Sequence, residues 1–329
     1  MYAKRFIGVG LAMLGLLVLL PAPRAAADCG SVPFFAPRMI DFEIRDYLIA
    51  GKHSPAGRKE LDFDPLKVSV FEPQQRALIL WNGKEEILLL STDQSATRKS
   101  AVLEVIPLPA EPKVRLGSFA TFEAAQRLVV EKRMWACAHG GAKADLFQVP
   151  EAGRIAFHEK LGAHDVTVAE VLDDKGFVDF VQKHLKDKYQ TPEAPIRPEF
   201  VRIIDSYLKE GFTWFAFDVI VLDDKTQSRQ PIEYRFASER VFYPLRISSL
   251  ERGKTKVDLL VFSSNGAGQF EGLARKHFDV QPRLQLATKE VETLDKEWKG
   301  FFADRTQVAM DQWAIQGKSS KLVSDVKVK

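Results

Sequence analysis

The chain is poor in the residues that usually carry recognisable chemistry. It has two cysteines, two asparagines and six histidines in 329 residues. Gly-x-Ser-x-Gly is absent, which excludes the usual nucleophile elbow of an α/β-hydrolase. His-Glu-x-x-His is absent too: His158 and His164 lie six apart and His53, His139, His184 and His277 are scattered, so no local metal motif forms. The glycine-rich stretch Ser263 to Gly268 carries neither Gly-x-Gly-x-x-Gly nor Gly-Lys-Ser/Thr, and no cofactor is expected. No basic patch interleaved with aromatics appears, and no nucleic-acid partner is expected.

A long apolar run occurs once, from Phe6 to Leu20. Lys4 and Arg5 precede it, and Ala25, Ala26 and Ala27 supply the small residues of a signal-peptidase site before Asp28. The run is too short for a spanning helix and ends in Pro21, Pro23 and Arg24. Residues 1–27 are therefore expected to be a cleaved signal peptide, leaving 302 residues and no transmembrane segment. Asp28 sits where a lipoprotein signal needs a small residue, which argues against lipid attachment at Cys29. Cleavage removes Lys4, Arg5 and Arg24 and no acid, so 47 basic residues fall to 44 against 44 acidic ones. The exported chain is neutral, and its expected place is the periplasm or the extracellular space.

Both cysteines survive cleavage, and an oxidising compartment makes a Cys29–Cys137 disulfide the expectation. In the chain-entropy model a loop of that length is worth roughly 4 to 5 kcal/mol. The alternative is metal ligation through Cys137 and His139.

Both asparagines precede glycine, as Asn82-Gly83 and Asn265-Gly266. Asn-Gly between apolar runs predicts a type I′ hairpin, Ala77 to Trp81 pairing with Glu86 to Leu90. Ala101 to Ile106 is expected as a third strand ending at Pro107. A helix is predicted from Phe119 to about Lys132 with Ser118 as N-cap, and a strand at Val166 to Leu172. Asp173-Asp174 then caps a helix whose stripe is Phe177, Phe180, Val181, His184 and Leu185. Pro192, Pro195 and Pro198 form a stiff linker into a second helix bearing Phe200, Ile203, Ile204, Tyr207 and Leu208, stopped by Gly211.

Phe212 to Leu222 reads as a central strand covered on both faces. Ile232, Tyr234 and Phe236 alternate with polar residues, and Val241 to Ile247 and Val257 to Phe262 are expected to extend the sheet. A helix from Thr288 to Arg305 is expected to bury Val291, Leu294, Trp298, Phe301 and Phe302 and to carry Glu292–Lys296 and Asp295–Lys299 ion pairs. The Ser/Lys-rich end, Gly317 to Lys329, is expected to be mobile.

Taken in order, these segments resemble the bacterial family of domain of unknown function 2330. The likeness rests on Gln75-Arg76-Ala77-Leu78-Ile79, Val105-Ile106-Pro107-Leu108-Pro109, Asp165-Val166-Thr167-Val168, Gly211-Phe212-Thr213-Trp214-Phe215-Ala216 and Tyr243-Pro244-Leu245-Arg246-Ile247-Ser248. It spans roughly residues 74 to 317. The resemblance implies export and a shared α+β domain, and it brings no catalytic residues.

The predicted fold is α+β, mainly antiparallel sheet with packed amphipathic helices. Two lobes are expected, residues 28–150 and 151–305, followed by a tail over 306–329. Candidate residues are few. Ser206-Tyr207-Leu208-Lys209 matches Ser-x-x-Lys, but Ser206 falls opposite the buried stripe. Asp218 is the one acid in the central strand and is expected to pair with a cation such as Arg235 or to sit at a bulge. His184 is expected as a boundary histidine with both ring nitrogens satisfied. Ser263 to Gly268 is expected as a plain turn. Two function classes follow: an exported binding or structural protein of the envelope, recognising an envelope protein or surface component, or an envelope hydrolase with a site lacking a sequence motif.

Overall fold

The computed structural model describes residues 30–34, 36, 65–139, 164–191, 193–250, 253–268, 273–303 and 305–329, with no side-chain description for residues 136–139 and 275. Residues 1–27, expected to be a signal peptide, Cys29, Pro192 and the side chains of Cys137 and His139 lie outside the described residues. So does the Cys29–Cys137 pairing.

The fold is α+β. Its strands are β1 (Ser31–Phe34), β2 (Val70–Trp81), β3 (Glu85–Ala96), β4 (Ser100–Leu108), β5 (Lys113–Leu116), β6 (Asp165–Glu170), β7 (Trp214–Leu222), β8 (Gln227–Ser228), β9 (Ile232–Ala237), β10 (Val241–Tyr243), β11 (Lys254–Ser263), β12 (Phe278–Ala287), β13 (Gln307–Lys318) and β14 (Val326–Val328). The helices are α1 (Phe119–His139), α2 (Asp174–Tyr189), α3 (Pro198–Lys209) and α4 (Thr288–Glu292). Among the described residues they build a small sheet in the order β1-β4-β7-β6, a large one in the order β12-β13-β11-β2-β3-β9-β5 with β8 beside β3, and a β10-β14 pair. All pairings are antiparallel except β2 with β11.

The expected hairpin forms, with Leu80 opposite Ile87 and Trp81 opposite Glu86. Its turn differs from type I′, because Gly83 alone takes positive φ, at 97°. The Asn82 side-chain oxygen instead accepts from the Lys84 and Glu85 amides at 3.0 and 2.9 Å, an Asx turn. β4 does not join this hairpin. Both edges of β3 are taken, by β2 on one side and by β9 and β8 on the other, so β4 enters the small sheet between β1 and β7. It also runs past Pro107 to Leu108.

The two faces of each strand build four layers. On one face of β7, Phe215 and Phe217 each lie 5.8 Å from the Phe177 ring of α2. On its other face, Ile220 and Leu222 pack with Val102 of β4 and with Val70 and Ala96 of the large sheet. The outer face of the large sheet buries Leu78, Leu80, Ile87 and Leu89 against Phe122, Ala125 and Val129 of α1 and against Trp298. Fully burying one such side chain is worth about 1.5 to 3 kcal/mol. The order is therefore helices, small sheet, large sheet, helix.

Helix ends follow their sequence signals. Asp173 caps α2 by accepting from the Gly176 amide at 2.6 Å, and Pro198 opens α3. Of the α2 stripe, Phe177, Val181 and Leu185 are fully buried, while Phe180 and His184 are half-buried. Trp298 is buried, whereas Trp81 and Trp214 are half-buried.

Several expectations need correction. The two lobes are not borne out, because strands from before and after residues 150–163 interleave in both main sheets. Val241 to Ile247 does not extend the large sheet: β10 pairs only with β14, and Arg246 to Leu250 is a 3-10 turn. The helix expected over Thr288 to Arg305 stops at Glu292. There the Asp295 carboxylate accepts from the Glu297 amide and pairs with Arg115 at 3.0 Å, Glu292 accepts from the Gly300 amide, and Gly300 takes a φ of 78°. These contacts replace the predicted i, i+4 ion pairs, although Val291, Trp298, Phe301 and Phe302 are buried as expected. The end of the chain is ordered: Leu322, Val326 and Val328 are buried, and Asp325 accepts from the Tyr207 hydroxyl at 2.7 Å.

Candidate functional site

Among the described residues, a group of ionisable side chains, most of them buried, lies between the two main sheets. β4 and β7 are antiparallel with Glu104 directly opposite Asp218, so period-two alternation turns both acids toward the large sheet. From that sheet Gln94 of β3 donates to Glu104 Oε1 at 3.1 Å. Buried Arg229, between β8 and β9, and buried Tyr234 of β9 both feel the charges of Glu104 and Asp218. Glu72 of β2 acts on Glu104 from the same side.

Asp218 is 1% exposed, and both of its oxygens are engaged. Oδ1 accepts from the Asp165 amide at 3.1 Å, and Oδ2 meets His164 Nδ1 at 2.5 Å. The other ring nitrogen, Nε2, lies 2.9 Å from the Gln230 carbonyl oxygen. A carbonyl only accepts, so Nε2 carries a proton, and one further proton is shared between Nδ1 and Asp218. A histidine working as general base needs a free nitrogen aimed at substrate, and here the distal nitrogen is occupied by backbone. The pair fastens β6 and the segment before β9 to the centre of β7.

Burial, reinforced by Glu72 and Asp218, pushes the Glu104 carboxyl up to about 8, with Arg229 and His164 opposing. Burial lowers Arg229 and raises the Tyr234 phenol well above its ordinary value. Arg229 Nε and the Tyr234 hydroxyl have no hydrogen-bond partner among the described residues. The surroundings of half-buried Glu104 thus favour its protonated form, beside the Arg229 cation.

A second group adjoins it. Asp165 accepts from Tyr189 at 2.6 Å and pairs with Lys188; burial opposes its ionisation, and these two contacts still hold its carboxyl below the usual range. His184 stacks on Phe180 at 5.6 Å, and burial followed by Lys188 lowers its pKa. Its Nε2 is buried without a hydrogen-bond partner among the described residues, where local satisfaction of both nitrogens was expected.

Of the residues singled out in the sequence, Asp218 stands at the centre of this group. Its partner is His164 rather than the expected Arg235, which instead pairs with Glu85 at 2.6 Å. His184 stays one helix away, and the backbone of Cys137 and His139 falls in the last turn of α1. The sequence reading missed Glu104, which is like Asp218 a lone acid in an apolar strand, and Arg229, which carries no periodic signal. Ser206 donates to the Ile203 carbonyl at 2.6 Å. The Ser263 to Gly268 loop is pinned by Asp311, which accepts from the Ala267 amide at 3.0 Å and from Arg283 at 2.8 Å. Among the described residues no group of three His, Cys, Asp or Glu side chains is placed to hold a metal ion.

No curated protein matches the sequence. A structural likeness is found to the crystal structure of baculovirus P35, with 10% identity, coverage of 80% of this chain and 98% of that one, and a TM-score of 0.38. A likeness that weak carries no argument. The model of a family described as an uncharacterized protein conserved in bacteria matches residues 66–303, nearly the whole span from β2 to the turns after α4. The chain belongs to that family, DUF2330.

Proposed function

We propose that the protein is exported to the cell envelope and acts there by binding an envelope protein or surface component, or as a structural module. One observation carries the non-catalytic part. In the His–Asp pair closest in form to acid–base machinery, both nitrogens and both oxygens are occupied by the protein itself. Of the remaining acids of the group, Glu104 stands opposite Asp218 on β4 and is held from the large sheet by Gln94. Export is supported by the leader, in which Lys4 and Arg5 precede the apolar run and three alanines end it. No helix among the described residues is long and apolar enough to cross a membrane. The Cys29–Cys137 disulfide belongs to the same reading.

Crosslinking in intact cells, with mass-spectrometric identification of the captured species, tests binding. One envelope component should be enriched reproducibly, and capture of cytoplasmic proteins alone would refute the reading. Sequencing of the mature N-terminus should start at Asp28, and thiol titration of exported protein should find both cysteines oxidised.

A further inference from the structure

An asparagine followed by glycine can lose its side-chain amide through attack by the next backbone nitrogen, because glycine has no Cβ to obstruct the approach. The chain holds two such pairs, Asn82-Gly83 and Asn265-Gly266, and the fold treats them differently. Both glycines take positive φ, 97° and 85°. Asn82 is half-buried and its amide is fixed at both ends: Oδ1 accepts from the Lys84 and Glu85 amides, and Nδ2 donates to the Phe301 carbonyl at 3.2 Å. Swinging its Cγ onto the Gly83 nitrogen means breaking all three contacts. Asn265 is exposed, and neither its side chain nor the Gly266 amide has a hydrogen bond among the described residues. The chain is held only beyond this pair, where the Ala267 amide donates to Asp311 at 3.0 Å and the Gly268 amide to the Lys329 carbonyl at 2.8 Å.

We propose that Asn265 is a site of spontaneous deamidation in the folded protein, and that the hairpin protects Asn82 from the same reaction. Solvent base takes the Gly266 amide proton, the nitrogen attacks Asn265 Cγ, and the side-chain nitrogen takes up a proton and leaves as ammonia, closing a succinimide ring. One water then opens the ring at either carbonyl, leaving aspartate or isoaspartate. Water is consumed and ammonia released, with no change of oxidation state. The Arg283 guanidinium lies against Gly266 and leaves no room there for a Cβ. Either product therefore adds a carboxylate one residue from the glycine that this cation covers, in competition with Asp311, which pairs with Arg283 at 2.8 Å. The inference concerns only the described loop and stands apart from the export and binding reading.

The test incubates folded wild-type protein in warm, mildly alkaline buffer beside a sample unfolded in guanidinium chloride, and follows tryptic peptides 257–275 and 77–84 by mass spectrometry. In the folded sample, peptide 257–275 should gain the mass of an amide-to-acid change, with fragmentation placing it at Asn265 and chromatography resolving the aspartate and isoaspartate forms. Each hydrogen bond that must open slows attack several-fold, so peptide 77–84 should convert about a hundredfold more slowly. In the unfolded sample the two rates should come within a few-fold of each other. Equal rates in the folded protein, or an unchanged Asn265 while the unfolded sample converts, would overturn the proposal. A ratio that persists in the unfolded chain would assign the contrast to the preceding residues, Trp81 and Ser264, and overturn protection by the hairpin. Asn265→Gln, whose longer side chain must close a larger and slower-forming ring, should leave residue 265 unchanged, and conversion there as fast as in wild type would overturn the succinimide route.

Discussion

Asp218 and Asp325 are both nearly inaccessible, 1% and 6% exposed, yet they are held in different ways. Asp218 sits in mid-strand, with one oxygen on a backbone amide and the other on His164. Asp325 sits just before β14 and gathers its hydrogen bonds on one oxygen, from the Tyr207 hydroxyl at 2.7 Å and the Arg246 amide at 2.8 Å. Its second oxygen has only loose ionic contacts, with Arg246 at 3.4 Å and Lys327 at 3.9 Å. Burial accordingly lifts the Asp325 carboxyl above its ordinary value despite these partners. The first acid ties strands of two layers together. The second fastens the end of the chain to α3 and to the turn after β10. Equal burial therefore conceals unequal satisfaction, and satisfaction sets what removal costs.

The largest loss should come from Asp218→Ala, which strands His164, the Asp165 amide and Arg229 around an empty space. Breaking a buried pair from one side costs about 3 to 5 kcal/mol, read as a lower urea midpoint at pH 7. A loss below about 1 kcal/mol would mean that the pair fastens nothing. The opposite face of the same strand offers a purely apolar control. Phe177 packs within 5.8 Å of Phe200, Phe215 and Phe217, so Phe177→Ala should cost about 3 to 4 kcal/mol. Half-buried Phe180 should cost clearly less in the same assay. Equal losses would show that α2 seats its stripe differently.

Asp325→Ala comes next, at about 2 to 3 kcal/mol, because the Tyr207 hydroxyl loses a charged acceptor in a buried place. Asp325→Asn keeps an acceptor and removes a poorly paired charge, so it should stay within about 1 kcal/mol of wild type. If Asn is as damaging as Ala in thermal denaturation, the carboxylate's charge holds the clasp, and the contrast with Asp218 disappears.

The same two residues show where the sequence could be read. Asp218 stands out because everything around it in β7 is apolar, and its position predicts burial before any partner is known. Asp325 lies among serines and lysines and resembles a solvated tail. Its burial depends on Tyr207, 118 residues away, which no local pattern reveals. The hairpin and α2 and α3 were legible for the same reason as Asp218, since turn chemistry, caps and stripes are local. The place of β4 was not, because it depends on the edges of β3 being filled by strands that come much later. The break after Glu292 was hidden too: the stripe is genuine, but Asp295 satisfies backbone and Arg115 instead of continuing a helix. Within the interior group, Asp218 was found and Glu104 passed over, although register pairing makes them one feature. A rule that pairs lone acids on apolar strands would have found both.

The smallest expected effect concerns His184, the stripe histidine beside the interior group. Burial, and then Lys188, lowers its pKa, so the folded protein favours the neutral ring. A histidine depressed in this way contributes stability that is present above its unfolded pKa of about 6.5 and lost as pH falls through the folded value. The ring is only half-buried, so water screens much of the effect, which should stay under about 1 kcal/mol. His184→Gln carries no proton to bind and removes the partnerless Nε2. It should match wild type at pH 7 and lose less stability between about pH 6.5 and 5, measured by urea denaturation at each pH. A variant as acid-sensitive as wild type would move that sensitivity elsewhere, with the His164–Asp218 pair as the next group to examine. A variant that is stable at every pH but fails to capture the crosslinked envelope component would place His184 in a binding surface.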